Sequence, residues 1–190
     1  MMAELLYGRG MIKFGKFKLT SGRESTVYVD LRPLPSFPEA FSEVVRELSE
    51  RVREEYVCGI AVGGLPLATA VAFSLKIPLI YVRKERKGHG TRSLMEGSLK
   101  EGSKVLVLDD VATTGGSLIR AVKEVRENGG VVERALVVVD RRQGAEESLK
   151  GAGVKLESLL TLPDLVEKLL PSLPPHEREY ALSYLREVRD

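Results

Sequence analysis

Residues 104–117, KVLVLDDVATTGGS, constrain this chain more than any other stretch. Val105 to Leu108 form a short apolar run, Asp109 and Asp110 follow, and then comes the small polar turn Thr113-Thr114-Gly115-Gly116-Ser117. Leu118, Ile119, Val122 and Val125 recur afterwards at helical spacing. The order is strand, polar turn, helix. In an open parallel sheet, ligands sit beyond the carboxyl ends of the strands. A helix N-terminus adds unpaired N–H groups and a partial positive charge, which suit phosphate. Gly115 and Gly116 let the backbone approach a ligand, and the hydroxyls of Thr113, Thr114 and Ser117 can donate to it. Two acids would repel a bare phosphate, so they need another task. Carboxylates accept hydrogen bonds from sugar hydroxyls and ligate Mg2+ directly or through water. Phosphate, polyol and metal together point to a phosphorylated sugar. The ATP-binding P-loop is excluded, because it needs a lysine after its glycines and Ser117 and Leu118 stand there.

The rest of the chain supplies the other parts of an α/β unit. At 190 residues one domain is expected. Residues Met1 to Gly10 read as a short helix, and Ile12 to Asp30 as an edge β-hairpin turning at Ser21-Gly22. Pro33, Pro35 and Pro38 mark a loop before an amphipathic helix over Glu39 to Glu55. Val57 to Val62 is a short strand, and Gly63-Gly64-Leu65-Pro66 turns into a helix over Leu67 to Leu75, its glycine pair leaving N–H groups for an anion. Leu79 to Val82 is a buried strand that leads into the basic segment Arg83 to Thr91, expected to be a mobile loop. The central helix ends at Asn128-Gly129-Gly130, Val131 to Val139 forms the next strand, and Val154 to Leu156 the last. Leu162 to Asp190 reads as two helices separated at Pro171 to Pro175, an appendage with no evident chemistry. Strands alternating with helices imply a mostly parallel sheet flanked by helices. The expected layout is a hood segment over 1–35, an α/β core over 36–160 and a helical extension over 161–190.

Composition narrows the partners. A net charge of +2, with basic residues interspersed among acids, gives no case for nucleic acid. No apolar run approaches the length of about 18 residues that a membrane helix needs. Cys58 is the single cysteine and lies in an apolar run, so a buried structural thiol in a reducing cytoplasm is the expectation.

The run VLVLDDVATTGGS resembles the signature of type I phosphoribosyltransferases, which bind 5-phosphoribosyl 1-diphosphate (PRPP). The resemblance implies that Asp109 and Asp110 meet the ribose hydroxyls. It implies that Val111, Ala112, Thr113, Thr114, Gly115, Gly116 and Ser117 hold the 5-phosphate, and that Gly63 and Gly64 take the diphosphate. Three further segments are similar to the orotate branch of that family: FKLTSGRES, RKxxKxH and DRRQG. In that branch the RKxxKxH loop, here Arg83, Lys84, Lys87 and His89, closes over the diphosphate, and a lysine, by position Lys84, reaches the neighbouring subunit. His89 can donate a proton to a departing oxygen, and Lys87, His89, Asp109 and Asp110 are the implied catalytic residues. Arg141 matches the arginine on the orotate carboxylate, with Arg142 beside it and Thr113 as the second orotate contact. Thr20 stands where many members carry a lysine, and Lys18, on the same strand face, is a candidate replacement. The implied reaction transfers phosphoribose from PRPP to N1 of orotate, with Mg2+ as cofactor and a homodimer as assembly. A purine phosphoribosyltransferase is the rival within the family. A PRPP-sensing regulator is the rival outside it, disfavoured because no recognition helix is visible.

Overall fold

The computed structural model describes residues 2–18, 22, 24–84 and 94–189. The chain opens with α1 (Met2–Gly8), followed by the antiparallel pair β1 (Ile12–Lys18) and β2 (Glu24–Val29), which forms a separate small sheet. Val27 and Val29 point inward while Tyr28 and Asp30 alternate outward, as the hairpin pattern predicts. Next come α2 (Pro38–Ser49), β3 (Tyr56–Ile60), α3 (Gly64–Leu75), β4 (Leu79–Val82), β5 (Met95–Glu96) and β6 (Val105–Ala112). The chain continues through α4 (Gly116–Glu127), β7 (Arg134–Asp140), α5 (Ala145–Gly151), β8 (Lys155–Thr161), α6 (Leu162–Leu169) and α7 (Pro175–Arg189). The main sheet runs β5-β4-β3-β6-β7-β8, parallel except for β5. From β3 the chain moves outward to β4 on one side, and from β6 outward to β7 and β8 on the other. The switch point therefore lies between the carboxyl ends of β3 and β6, where open α/β sheets bind ligands.

Both faces of the sheet are covered. Cys58, Val105, Val107, Ala135 and Val137 point to α4 and α5, packing on Leu118, Ala121, Val125 and Leu149. Val57, Leu106, Leu108, Leu136 and Val138 point the other way, onto Val44 and Leu48 of α2 and Leu67 and Val71 of α3. The strands are apolar on both sides, as parallel strands between helix layers must be. Each fully buried leucine contributes about 2 kcal/mol of transfer free energy.

Several boundaries differ from the sequence expectation. The α2 helix ends at Ser49 instead of Glu55, and the Arg51 carbonyl accepts from Arg134 Nη2 at 3.1 Å. The central strand does not stop before the acids. Pairing of Asp109 with Val137 and Ala112 with Asp140 carries β6 through both. The β7 strand begins at Arg134, and Val131 makes only an isolated bridge to Lys104. Two short elements, β5 and α5, are additions, and β8 is longer than Val154 to Leu156. The largest correction concerns residues 161–190. Leu162, Leu165, Val166, Leu169, Ala181, Tyr184 and Leu185 share one buried cluster with Ile12, Phe14, Val27 and Val29 of the hood. Helix α7 packs on β1 and β2, and Tyr7 Oη donates to Glu177. These helices are the support on which the hood rests.

Candidate active site

Asp109 and Asp110 sit on β6 at the switch point. Asp109 is buried and Asp110 half-buried. The Asp110 N–H donates to Asp109 Oδ1 at 2.9 Å and the Val111 N–H to Asp110 Oδ1 at 2.8 Å, so the backbone fixes both carboxyls. The N–H of Gly64 also donates to Asp109. Burial, then the Asp110 charge, pushes the Asp109 carboxyl well above the ordinary aspartate range. Burial likewise raises Asp110, against hydrogen bonds from Asp109 and Val111 that lower it.

The glycine pair of the β3–α3 turn has a tighter reason than a free anion cradle. A Cβ on Gly63 would stand 2.2 Å from Asp110 Oδ2, and one on Gly64 would stand 2.7 Å from the Leu108 carbonyl oxygen and 2.8 Å from Asp109 Oδ1. Both positions must be glycine so that α3 can begin against the acid pair. The turn borders a cleft of about 340 Å³ shared with Asp109, Asp110, Arg83 and Lys84.

The segment Val111 to Ser117 lies along a neighbouring hollow of about 230 Å³. Gly115 caps α4 at φ 85°, and its absent Cβ leaves Ala145 of α5 free to approach, with Ala145 Cα 3.1 Å from where it would be. No side chain caps this helix, so its first N–H groups face the hollow unused. Ser148 Oγ donates to the Thr114 carbonyl at 2.9 Å and pins the turn from α5. Thr113, Thr114, Gly116 and Ser117 are exposed. The geometry offers amides and hydroxyls to an anion beside carboxyls for a polyol.

Arg141 lies just past β7, and its N–H donates to the Ala112 carbonyl at 2.9 Å, which brings it beside Thr113. Its side chain is buried, and Nε and Nη2 have no hydrogen-bond partner. Burial lowers its pKa. Arg142 is different: it pairs with Asp140 at 3.4 Å and with Glu146, and it is exposed. Thus the neighbouring acid is taken by Arg142, and Arg141 is left as a charged fork without a counterion among the described residues.

Of the basic loop, Arg83 and Lys84 fall within the described residues. Arg83 pairs with Glu96 at 3.0 Å, and Arg83 and Lys84 line the cleft. Lys87, His89 and Thr20 lie outside the described residues. Two residues escaped the sequence reading. Arg32 lines the cleft from the hood, forked onto Asp30 with two contacts of 2.7 Å. Arg120, one turn into α4, borders both hollows and donates to the Lys84 carbonyl at 3.3 Å. Its place in the first turns of the helix after the glycines was the available signal. Cys58 is free and buried, its thiol pushed up to about 12, which leaves it inert. Exposed His176 lies on α7, distant from the acids in sequence.

Known proteins share this chain's sequence pattern and fold. Residues 38–158 match the phosphoribosyl transferase domain model. A curated orotate phosphoribosyltransferase of Saccharolobus solfataricus is 43% identical over 188 residues, which is 96% of this chain and 95% of that protein. The crystal structure of orotate phosphoribosyltransferase from Aeropyrum pernix superposes with a TM-score of 0.82 at 46% identity, covering 89% of this chain and 98% of the other. The chain belongs to the orotate phosphoribosyltransferase family. A third relative, the Mycobacterium tuberculosis enzyme crystallised in complex with PRPP, has a TM-score of 0.69 and 36% identity, over 86% of this chain and 96% of that one. Members of the family carry the same α/β architecture, so the acid pair and the open turn after it sit in a shared frame. No helix among the described residues is long and apolar enough to cross a membrane.

Proposed function

We propose that this chain transfers the 5-phosphoribosyl group of PRPP to N1 of orotate, giving orotidine 5′-monophosphate and diphosphate in pyrimidine nucleotide synthesis. One observation carries the reading: an acid pair and an uncapped helix N-terminus meet at the switch point, with an unpaired buried guanidinium joined to the same loop. The M. tuberculosis relative crystallised with PRPP supports the donor, and the curated relatives' name supports the acceptor.

The amides and hydroxyls of Val111 to Ser117 hold the 5-phosphate, and Asp109 and Asp110 accept from the ribose hydroxyls. The C1–oxygen bond to diphosphate breaks ahead of N1–C1 bond formation, and the N1 proton leaves to solvent. Catalysis is positioning plus stabilisation of the leaving charge. Lys87 and His89 meet the departing oxygens, with Arg83 and Lys84 at the stem of the same loop. Arg141 grips the orotate carboxylate with two parallel donors, and Thr113 lies beside it.

Among the described residues no three acidic, histidine or cysteine side chains gather into a metal cage. Two carboxyls at the cleft edge suit a hydrated cation that arrives on ligand oxygens, and Asp109 and Asp110 would hold it. When bound, Mg2+ supplies neutralisation of the diphosphate charge.

The working assembly in this reading is a homodimer in which Lys84 reaches the partner's cleft, and the location is cytoplasmic. Lys18, exposed on β1, stands in for the lysine replaced at Thr20, so Lys18→Ala raises a Michaelis constant for orotate or PRPP. The test of function is the loss of orotate absorbance with PRPP and Mg2+, run beside adenine, hypoxanthine and uracil. Orotate is the expected substrate. Turnover of a purine in its place assigns the chain to the rival activity, and no nucleotide from any base overturns the reading.

A further inference from the structure

Tyr184 belongs to α7, outside the residues 38–158 that match the family domain. Its side chain is only 3% exposed, yet its hydroxyl has no hydrogen-bond partner. A phenol buried without a partner loses its hydration for nothing, at about 1–3 kcal/mol, and most buried hydroxyls are paired. Arg141 is in the same condition, with two unpartnered nitrogens on a side chain 6% exposed. The two groups lie in each other's electrostatic field, the guanidinium favouring the ionised phenol and the phenolate favouring the charged guanidinium. They arrive from different directions. Arg141 is fixed through its N–H on the Ala112 carbonyl, beside the phosphate turn. Tyr184 comes from a helix that packs on both hood strands. Two buried, unpartnered polar groups brought together from β7 and α7, with the acid that could pair with the arginine already taken by Arg142, leave a polar group of a ligand as the missing partner.

We propose that Tyr184 is a further polar contact of the acceptor subsite, its hydroxyl meeting the carboxylate edge of the base that Arg141 grips. The C-terminal helix thereby supplies a specificity residue as well as a support for the hood. A phenol serves where a carboxylate could not: it donates to the ligand carboxylate without cancelling the Arg141 charge. This rests on the assignment of orotate as acceptor.

The test compares the affinity of orotidine 5′-monophosphate with that of uridine 5′-monophosphate, which lacks the carboxylate, by titration calorimetry on the full chain. The wild type decides the underlying assignment first: no preference for the carboxylated nucleotide overturns that assignment and the inference with it. Given that preference, Tyr184→Phe is expected to cut it about 10-fold, in line with one lost charge-assisted hydrogen bond, by weakening orotidine 5′-monophosphate alone. The Michaelis constant for PRPP stays as in the wild type. Leu185→Ala, which loosens the same helix without touching the hydroxyl, keeps the preference. A Tyr184→Phe protein that retains the wild-type preference overturns the inference and leaves the assignment standing. So does an equal loss for both nucleotides, because that reports packing alone.

Discussion

Arg134 and Arg141 bracket β7, and their surroundings are opposite. Arg134, at the amino end, is held by Glu54 at 2.8 Å and Glu157 at 3.0 Å, and it also donates to the Arg51 carbonyl. Arg141, past the carboxyl end, is more deeply buried and has no acid among the described residues. The same contrast runs through the carboxyls. Glu157 is pulled down to about 2 by hydrogen bonds from Arg134 and Lys155, whereas Asp109 is pushed up by burial and Asp110. At one end of the sheet Arg134, Glu54, Glu157 and Lys155 have found partners within the chain. At the other, an acid pair and a guanidinium stand uncompensated a few residues apart along two adjacent strands. Burying a charge without a partner is unfavourable. A fold keeps such groups where a ligand supplies what is missing, and the unpaired end of this sheet is the end where α/β proteins bind ligands.

The sharpest way to break the comparison is to disturb the unpaired end by geometry alone. Gly64→Ala puts a methyl against the Leu108 carbonyl and the Asp109 backbone, which cannot yield as a flexible side chain can. A shift of the acid pair by a fraction of an ångström follows. The expected fall in kcat/KM for PRPP is about 100-fold or more, read by initial rates. Next in size is Arg141→Leu. Loss of a bidentate, charge-assisted contact raises the Michaelis constant for orotate roughly 10- to 100-fold. Removing an unpartnered buried charge at the same time leaves the melting temperature equal to or above that of the wild type. Arg134→Leu does the reverse, lowering the melting temperature while leaving the orotate constant near its wild-type value.

Proton linkage separates the two ends further. Asp109 has a folded pKa above its ordinary 3.8, so it binds its proton more tightly in the folded chain. Its contribution to stability is complete below that ordinary value and is lost as pH rises through the raised one. Asp109→Asn therefore gains stability relative to wild type as pH climbs above about 4, measured by urea unfolding. Glu157 has the opposite sign. Its folded pKa of about 2 lies below the ordinary 4.5, so its contribution is present at neutral pH and lost as pH falls through that interval. The smallest effect is accordingly expected from Glu157→Gln, about 1–2 kcal/mol of stability at pH 7 that vanishes in acid, with activity unchanged.

How far this could be read without coordinates depended on where each group's signal lay. The phosphate turn was legible because its residues are consecutive: strand, acids, glycines and helix start all fall within 104–117. Arg141 was legible by resemblance, but its isolation was not. That depends on Asp140 turning to Arg142, a choice made by the local backbone at Arg142 with φ 57°. The glycine pair was read as an anion cradle, and its contact with the acids appears only when β3 and β6 lie side by side. Arg32 reaches the site from an element distant in the chain. Such contacts leave no periodic trace, and from sequence alone α7 reads as an appendage, because helical spacing shows that a face is buried without showing against what. The two-residue β5 is too short to carry any alternation.

The central claim is that the unpaired guanidinium at the end of β7 selects the acceptor while the turn after β6 holds the donor. Initial rates of the wild type and Arg141→Ala, with PRPP and Mg2+ and with orotate set against uracil, test it most directly. The account predicts that the wild type prefers orotate, and that the variant loses that preference while its Michaelis constant for PRPP stays unchanged. An Arg141→Ala protein that still favours orotate as strongly as the wild type would contradict it.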